Sequence, residues 1–223
     1  SRKSSIPSRI MSLTHLYLAS ASPRRHELLL QIRVTHEVID IPAPPGEDEP
    51  RLQNESPLHY VQRTARDKAD RAVTWLAQQN PRHFNLDATI LTADTTVALE
   101  SDILGKPRDN THAREILSML SGKTHLVHTA VVCARSSKRW EALSTSEVTF
   151  GELNQETIDA YISSGEPFGK AGAYGIQGVA AAFIRELRGS YSGVMGLPLF
   201  ETNQLLQICG AKTNPQPLER LGV

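Results

Sequence analysis

Leu16-Tyr17-Leu18-Ala19-Ser20-Ala21-Ser22-Pro23-Arg24-Arg25-His26-Glu27-Leu28-Leu29-Leu30 decides how this chain is read. Leu16-Tyr17-Leu18 has the pattern of a short buried strand, and His26 to Gln31 that of a helix with an apolar face. Between them Ser22 suits an N-cap, and Pro23 suits the first helical position, where its missing N–H costs nothing. Arg24 and Arg25 then fall in the first turn, where the helix dipole is positive and acidic residues are preferred. A capping box would want Glu at position 25; the chain supplies a second arginine. Two cations there are locally unfavourable unless an anion offsets them. Solvated surface arginines are the plain alternative. The strand–SxSPRR–helix context favours a polyphosphate site built from free N–H groups, the Ser20 and Ser22 hydroxyls and two guanidinium forks.

The 223 residues suffice for one large domain or two small lobes with a sizeable core. Lys+Arg 24 and Asp+Glu 24 balance, so no bulk field serves nucleic-acid or anionic-membrane binding, and any anion site is local. Aromatic content of 5% without a basic stripe argues further against nucleic acid. Cys133 and Cys209 sit in the apolar runs AVVCA and LLQIC, which reads as reduced, buried thiols of a cytosolic protein. No apolar run reaches transmembrane length. Arg2, Lys3, Arg9 and Ala19-Ser20-Ala21 imitate a signal peptide, but the apolar region is too short and His15 interrupts it. The expected organisation is a disordered leader over 1–12, a single two-lobed domain over 13–210 and a polar tail over 211–223.

Val34 to Ile41 reads as a strand, followed by the Pro/Gly-broken PAPPGEDEP with Glu47, Asp48 and Glu49. A solvated loop is the ordinary reading of that run; a metal ligand among the three acids is the alternative. Ser56-Pro57 starts a long helix to Gln78, with Leu58, Val61, Ala65, Ala69, Ala72, Val73 and Leu76 on one face. Its polar side carries Arg63, Arg66, Lys68 and Arg71, most of which read as surface charges. Asn80 to Asp87 is a loop.

Ala88 to Leu99, ATILTADTTVAL, reads as a strand that contains Asp94, a residue type strands exclude. A carboxylate there needs a cation, strong hydrogen bonds or a break facing a cleft; an Asp bonding amides at a bulge is the alternative. A turn at Glu100-Ser101-Asp102 returns the chain so that Lys106 falls near the position opposite Asp94, where it can bind the phosphate whose metal Asp94 holds. Thr111 to Ser121 reads as a helix with Ala113, Ile116, Leu117 and Leu120 inward, stopped by Gly122. Leu126 to Ala134 and Trp140 to Phe150 form an antiparallel pair, on which His125 and His128 face opposite sides and make no metal pair. Asn154 caps a helix to Ser164. Gly165 to Gly178, with glycines at 169, 172, 175 and 178, suits a packed loop wrapping a ligand. Val179 to Leu187 reads as a strand, Arg188 to Tyr191 as a turn and Pro198 to Cys209 as a final helix.

SxSPRR, ADT with a following GKP, and GKAGAYGIQG with a following GSYxxVxGLP together resemble the Maf family of nucleoside triphosphate pyrophosphatases, also called septum formation inhibitor proteins. The resemblance runs from Leu16 to about Cys209. It implies an α/β fold of the inosine triphosphatase-like type: a long mixed sheet flanked by helices, and two lobes with a deep cleft. It also implies hydrolysis of a nucleoside triphosphate to monophosphate and pyrophosphate with a divalent metal, Mg²⁺ or Mn²⁺, in a cytoplasmic homodimer. By position, Asp94 matches the family's catalytic proton acceptor, and Arg24, Thr95 and Gln177 match positions tied to substrate choice. Ser20, Arg25, Lys68 and Lys106 match other polar cleft residues. Glu49 best matches the acidic residue before the long helix, with Glu47 and Asp48 as alternatives. The AYGIQG of residues 173–178 resembles the dTTP/UTP subgroup rather than the SFKxEG-like one that favours 7-methyl-GTP. A regulatory nucleotide-binding role in septum formation is the alternative function.

The residues suit that chemistry on their own terms. Attack of water on an α-phosphoryl group needs charge neutralisation and an aligned nucleophile. Arg24, Arg25, Lys68 and Lys106 supply cations, and Asp94 with Glu49 or a neighbour would hold the metal or orient the water. Gln177 offers a donor and an acceptor to the O4/N3–H edge shared by uracil and thymine.

Overall fold

The computed structural model describes residues 15–44, 49–79 and 88–211. The expected leader over 1–12, the loop over 80–87, Glu47, Asp48 and the tail from Lys212 on lie outside the described residues. Among the described residues seven strands form one mixed sheet: β1 (Leu16–Ala19), β2 (Glu37–Ile39), β3 (Thr89–Leu99), β4 (Asp102–Leu104), β5 (Thr124–Arg135), β6 (Lys138–Phe150) and β7 (Ile184–Arg188). Their spatial order is β2-β1-β3-β5-β6-β7, with β4 also on β3. β1 runs parallel to β2 and β3; all other pairings are antiparallel. Apart from Thr95, the whole of β3 is buried, so its sequence shows a near-continuous apolar, β-branched run instead of alternation.

One edge of β3 belongs to β5 throughout; the other is shared. β1 pairs with its start, from Leu16↔Thr89 to Leu18↔Leu91, and β4 with its end, from Val97↔Leu104 to Leu99↔Asp102. Between Leu91 and Val97 no strand among the described residues pairs that edge. The sheet is therefore open at its middle, with the carboxyl end of β1 beside the gap, the kind of crevice where open α/β sheets bind ligands. Asp94 and Thr95 lie within it.

Three packed cores surround the gap. On one face α2 (Pro57–Gln79) lays Val61, Ala65, Ala69, Ala72 and Leu76 on Ile90, Ala130 and Val132. On the other, Leu28 and Leu29 of α1 (Pro23–Gln31) and Leu205 and Leu206 of α6 (Leu199–Ile208) cover Leu18, Leu91 and Val131. Beyond the gap, α3 (Asn110–Leu120), α4 (Gln155–Ser163) and the glycine loop enclose Val97, Val127, Val148 and Phe150. The inward residues expected of α3 are all buried, and Gly122 follows it at φ 68°. Asn154 caps α4 by accepting from Thr157 N–H at 2.8 Å. Cys133 and Cys209 are buried and free, with their Sγ atoms 3.0 Å apart.

Several expectations need correction. The second strand spans only Glu37–Ile39 of the expected Val34–Ile41. Leu58 is exposed, because it lies in the first turn of α2, ahead of Val61 where burial against the sheet begins. Val179–Phe183 is a 3-10 helix, and β7 starts only at Ile184. The apolar VAAAF run is turned by Glu166, whose carboxylate accepts from Val179 N–H (3.0 Å) and Ala180 N–H (3.4 Å) and so caps a helical turn. The expected turn over 188–191 leads into a short α5 (Tyr191–Met195), opened by Ser190 Oγ accepting from Gly193 N–H at 2.9 Å.

Candidate active site

The β1–α1 junction builds the first wall. Ser22 occupies the N-cap of α1, but its side chain makes no capping bond; instead its N–H donates to Ser20 Oγ at 3.2 Å. Arg25 donates Nε to Gly196 O at 2.8 Å, Nη1 to Ser20 Oγ at 3.2 Å and Nη2 to Thr95 Oγ1 at 3.2 Å. One guanidinium thus joins the first helix, the loop before it, the central strand and the turn after α5. Burial pulls its pKa down, Asp94 and then Glu49 work against that, and Arg24 adds to the depression. Arg24 is itself lowered by burial, partly offset by Glu27. Desolvated cations crowding a helix N-terminus make the local field one that an anion relieves.

Asp94 is 6% exposed. Its Oδ1 accepts from Lys68 Nζ at 2.9 Å and its Oδ2 from the Thr64 hydroxyl. Thr64 and Lys68 stand one turn apart on α2, so both reach the same carboxylate. A bare carboxylate inside a sheet is costly; two donors, one of them charged, offset that cost. The ammonium of Lys68 also pairs with the Glu49 carboxylate, so it stands between two acids. Of the three candidate acids, Glu49 lies at the site; Glu47 and Asp48 are outside the described residues.

The far wall comes from the hairpin and the glycine loop. Leu104 pairs opposite Val97, and two residues later Lys106 lines the cleft. Gly172, at φ 70°, donates its N–H to Gly105 O at 3.1 Å, and a Cβ there would sit 2.9 Å from both Val97 methyls. Only glycine lets the loop come this close to β3. The crossing holds Lys170 and Gln177 at the cleft, with Lys170 Nζ donating to Glu166 O at 2.5 Å.

One cleft of about 320 Å³ takes in Ser20, Arg24, Arg25, Glu49, Lys68, Asp94, Thr95, Lys106 and Gln177, the residues singled out from sequence apart from the alternatives Glu47 and Asp48, which lie outside the described residues. It also includes Asp40 and Lys170, which were not singled out, and Arg71, which was named only among the charges on the polar side of the long helix. Among the described residues, six cations then face three carboxylates in a chain with no net charge, so the anion site is local, as the composition requires. Thr64 was missed as well. The available signal was a stripe on α2, Tyr60, Thr64, Lys68 and Arg71 at helical spacing, running beside the apolar face.

Beneath the cleft wall, His125 Nε2 and Tyr174 Oη are 2.7 Å apart, while His125 Nδ1 has no hydrogen-bond partner among the described residues. Burial lowers the His125 pKa from 6.5 to about 4. The unfolded chain therefore takes up this proton at a higher pH than the folded one. His125's contribution to stability is complete above pH 6.5 and is lost as pH falls towards about 4, a change of about 3 kcal/mol. Urea unfolding at pH 7 and pH 4.5 should show a smaller acid loss in His125→Phe than in wild type. Equal losses would contradict the assignment.

A mixed sheet opened at a buried carboxylate and walled by cations makes this an α/β protein with a local, cation-rich cleft. The chain belongs to the Maf family: residues 15–209 match the family model described as Maf-like protein. It is 53% identical over 196 residues to a dTTP/UTP pyrophosphatase of Bordetella pertussis, covering 87% of this chain and 92% of that one. A dTTP/UTP pyrophosphatase of Cupriavidus metallidurans is 53% identical, with 87% and 96% covered, and one of Shigella sonnei 48%, with 87% and 92% covered. A nucleoside-triphosphatase / dITP/XTP pyrophosphatase structure from Mycobacterium abscessus aligns over 88% of this chain and 98% of that one, at 11% identity and a TM-score of 0.42, too loosely to bear on the site. Among the described residues no helix is long and apolar enough to cross a membrane.

Proposed function

We propose that this chain hydrolyses dTTP and UTP to the monophosphate and pyrophosphate. The observation that carries the reading is Asp94, buried at the open middle of the sheet with Lys68 and Glu49 beside it, within a cleft where, among the described residues, cations outnumber acids. Curated relatives of about half-identical sequence carrying that activity in their names support it.

Asp94 is the base. With one carboxylate oxygen on Lys68 and the other on Thr64, its orientation is fixed, and remaining lone pairs can hold and deprotonate a water. Arg24, Arg25, Lys106 and Lys170 neutralise the triphosphate and the charge that develops on the leaving pyrophosphate. Substrate entry relieves the crowding of cations described above, so binding energy is directed at the phosphates.

A divalent cation fits the residues present. Glu49 and Asp94 already converge on one positive charge, the Lys68 ammonium, and both are hard oxygen donors. Such a pair suits Mg²⁺ held by carboxylates, waters and substrate phosphates. When bound, it would polarise the phosphoryl oxygens and screen their charge.

Gln177 is exposed at the cleft, free to present both amide groups to a pyrimidine edge. Cytosine reverses that edge and leaves polar groups unmatched. A panel of dTTP, UTP, CTP, GTP and 7-methyl-GTP with Mg²⁺, scored for pyrophosphate against phosphate, tests the reading. Pyrophosphate from dTTP and UTP with CTP at least about tenfold slower is the expected result. CTP hydrolysed as fast as UTP would overturn the role of Gln177, and release of single phosphates would overturn the reaction.

A further inference from the structure

The segment that carries Glu49 has no regular secondary structure of its own: residues 49–56 run as bends and turns into α2. Side chains of that helix hold its start, while Arg51 ties its end to Glu55 O (3.0 and 2.8 Å) and to Ser101 O (3.0 Å) in the turn between β3 and β4. Tyr60 Oη donates to Glu49 O at 2.9 Å, and Arg63 Nη2 donates to the next carbonyl, Pro50 O, at 2.9 Å. Arg63 is in turn locked to Glu55 by a two-pronged ion pair, Nε to Oε1 at 2.6 Å and Nη2 to Oε2 at 2.8 Å. Its guanidinium carbon lies 5.6 Å from the centroid of the Tyr60 ring. Glu55 Oε2 also accepts from Leu52 N–H at 3.1 Å, which folds the segment back on itself. The Glu55 side chain is only 8% exposed, so this is a sheltered pair and not a solvated surface one.

We propose that Tyr60, Arg63 and Glu55 are positioning residues for the Glu49 carboxylate, setting its separation from Asp94 and hence the affinity for a divalent cation. The proposal rests on the metal-assisted reading above. Its logic is the helix: the brace residues at 60 and 63 and the site residues at 64 and 68 occupy adjacent turns of α2. The same rigid rod that grips Asp94 through Thr64 and Lys68 therefore grips the backbone on both sides of the Glu49–Pro50 peptide bond. Two carboxylates are held in register although one lies in a strand and the other in irregular chain. Groups that orient metal ligands without touching the metal commonly matter 10–100-fold for its affinity.

The variants Tyr60→Phe, Arg63→Met, Arg63→Lys and Glu49→Gln, and the double variant Tyr60→Phe/Glu49→Gln, separate this role from a structural one. Mn²⁺ binding is read by electron paramagnetic resonance with a non-hydrolysable dTTP analogue, alongside the Mg²⁺ dependence of dTTP hydrolysis. Tyr60→Phe should weaken Mn²⁺ binding about three- to tenfold, the worth of one neutral hydrogen bond, and Arg63→Met about 10–100-fold. kcat at saturating Mg²⁺ should change little in both. Arg63→Lys should keep the charge yet fail to restore affinity, because the fork is what spans Glu55 and Pro50 O. In the Glu49→Gln background Tyr60→Phe should add nothing. A merely structural clasp would lower thermal stability, leave Mn²⁺ affinity unchanged and act equally in both backgrounds; that result overturns the proposal. So does absence of Mn²⁺ binding by the wild type. Because Mn²⁺ binding is read without turnover, loss of the brace and failure of the pyrophosphatase reading give different patterns.

Discussion

Asp94→Asn should lower dTTP turnover by about 10²–10⁴-fold, the range for removing a positioned general base, while the protein stays folded and still binds nucleotide. The surroundings of Asp94 explain both halves. The asparagine carbonyl can still accept from Lys68, and its amide can donate to the Thr64 hydroxyl, which is able to accept; no buried partner is stranded. Lys68 keeps Glu49 as an anionic partner. What disappears is the ability to take a proton from water. Single-turnover rates, melting temperature and affinity for a non-hydrolysable analogue separate these effects. A variant that retains a tenth or more of wild-type turnover would remove Asp94 from the chemistry.

Arg25→Lys should lower kcat/KM by about 10²-fold despite conserving the charge. The guanidinium serves three acceptors from different parts of the chain: Gly196 O, Ser20 Oγ and Thr95 Oγ1. An ammonium on a flexible stem cannot span them. Losing two hydrogen bonds to a charged group at roughly 1.5 kcal/mol each gives about 3 kcal/mol, or two decades. Thr95 and the turn at Gly196 would lose their tether along with the phosphate its fork. Steady-state kinetics on dTTP measure this. A lysine variant within threefold of wild type would mean that the site needs only charge here.

The sequence made the active half of this molecule legible where local rules were broken. Arginines in the first turn of α1 and an aspartate in a strand both violate propensity, and both mark the cleft. The long helix, the inward face of α3 and the β5–β6 hairpin followed from periodicity alone. What stayed hidden depends on distant contacts. VAAAF reads as a strand by itself, and only Glu166, 13 residues before Val179, turns it into a helical cap. Thr64 looks like any helix residue until Asp94 is folded against it. The residues alone could not separate Glu49 from Glu47 and Asp48, because irregular chain has no periodicity and the bonds from Tyr60 and Arg63 to Glu49 O and Pro50 O form only in the fold. The gap in the edge of β3 is a property of pairing, visible only once β1 and β4 occupy its two ends.

The central claim is that water at Asp94 attacks the α-phosphorus, and isotope transfer tests it most directly. Hydrolysis of dTTP in ¹⁸O-labelled water, followed by mass spectrometry of the products, should place one labelled oxygen in the monophosphate and none in pyrophosphate. Label in pyrophosphate would mean attack at the β-phosphorus, and label in inorganic phosphate attack at the γ-phosphorus; either would contradict the arrangement of Asp94 and the cations around it.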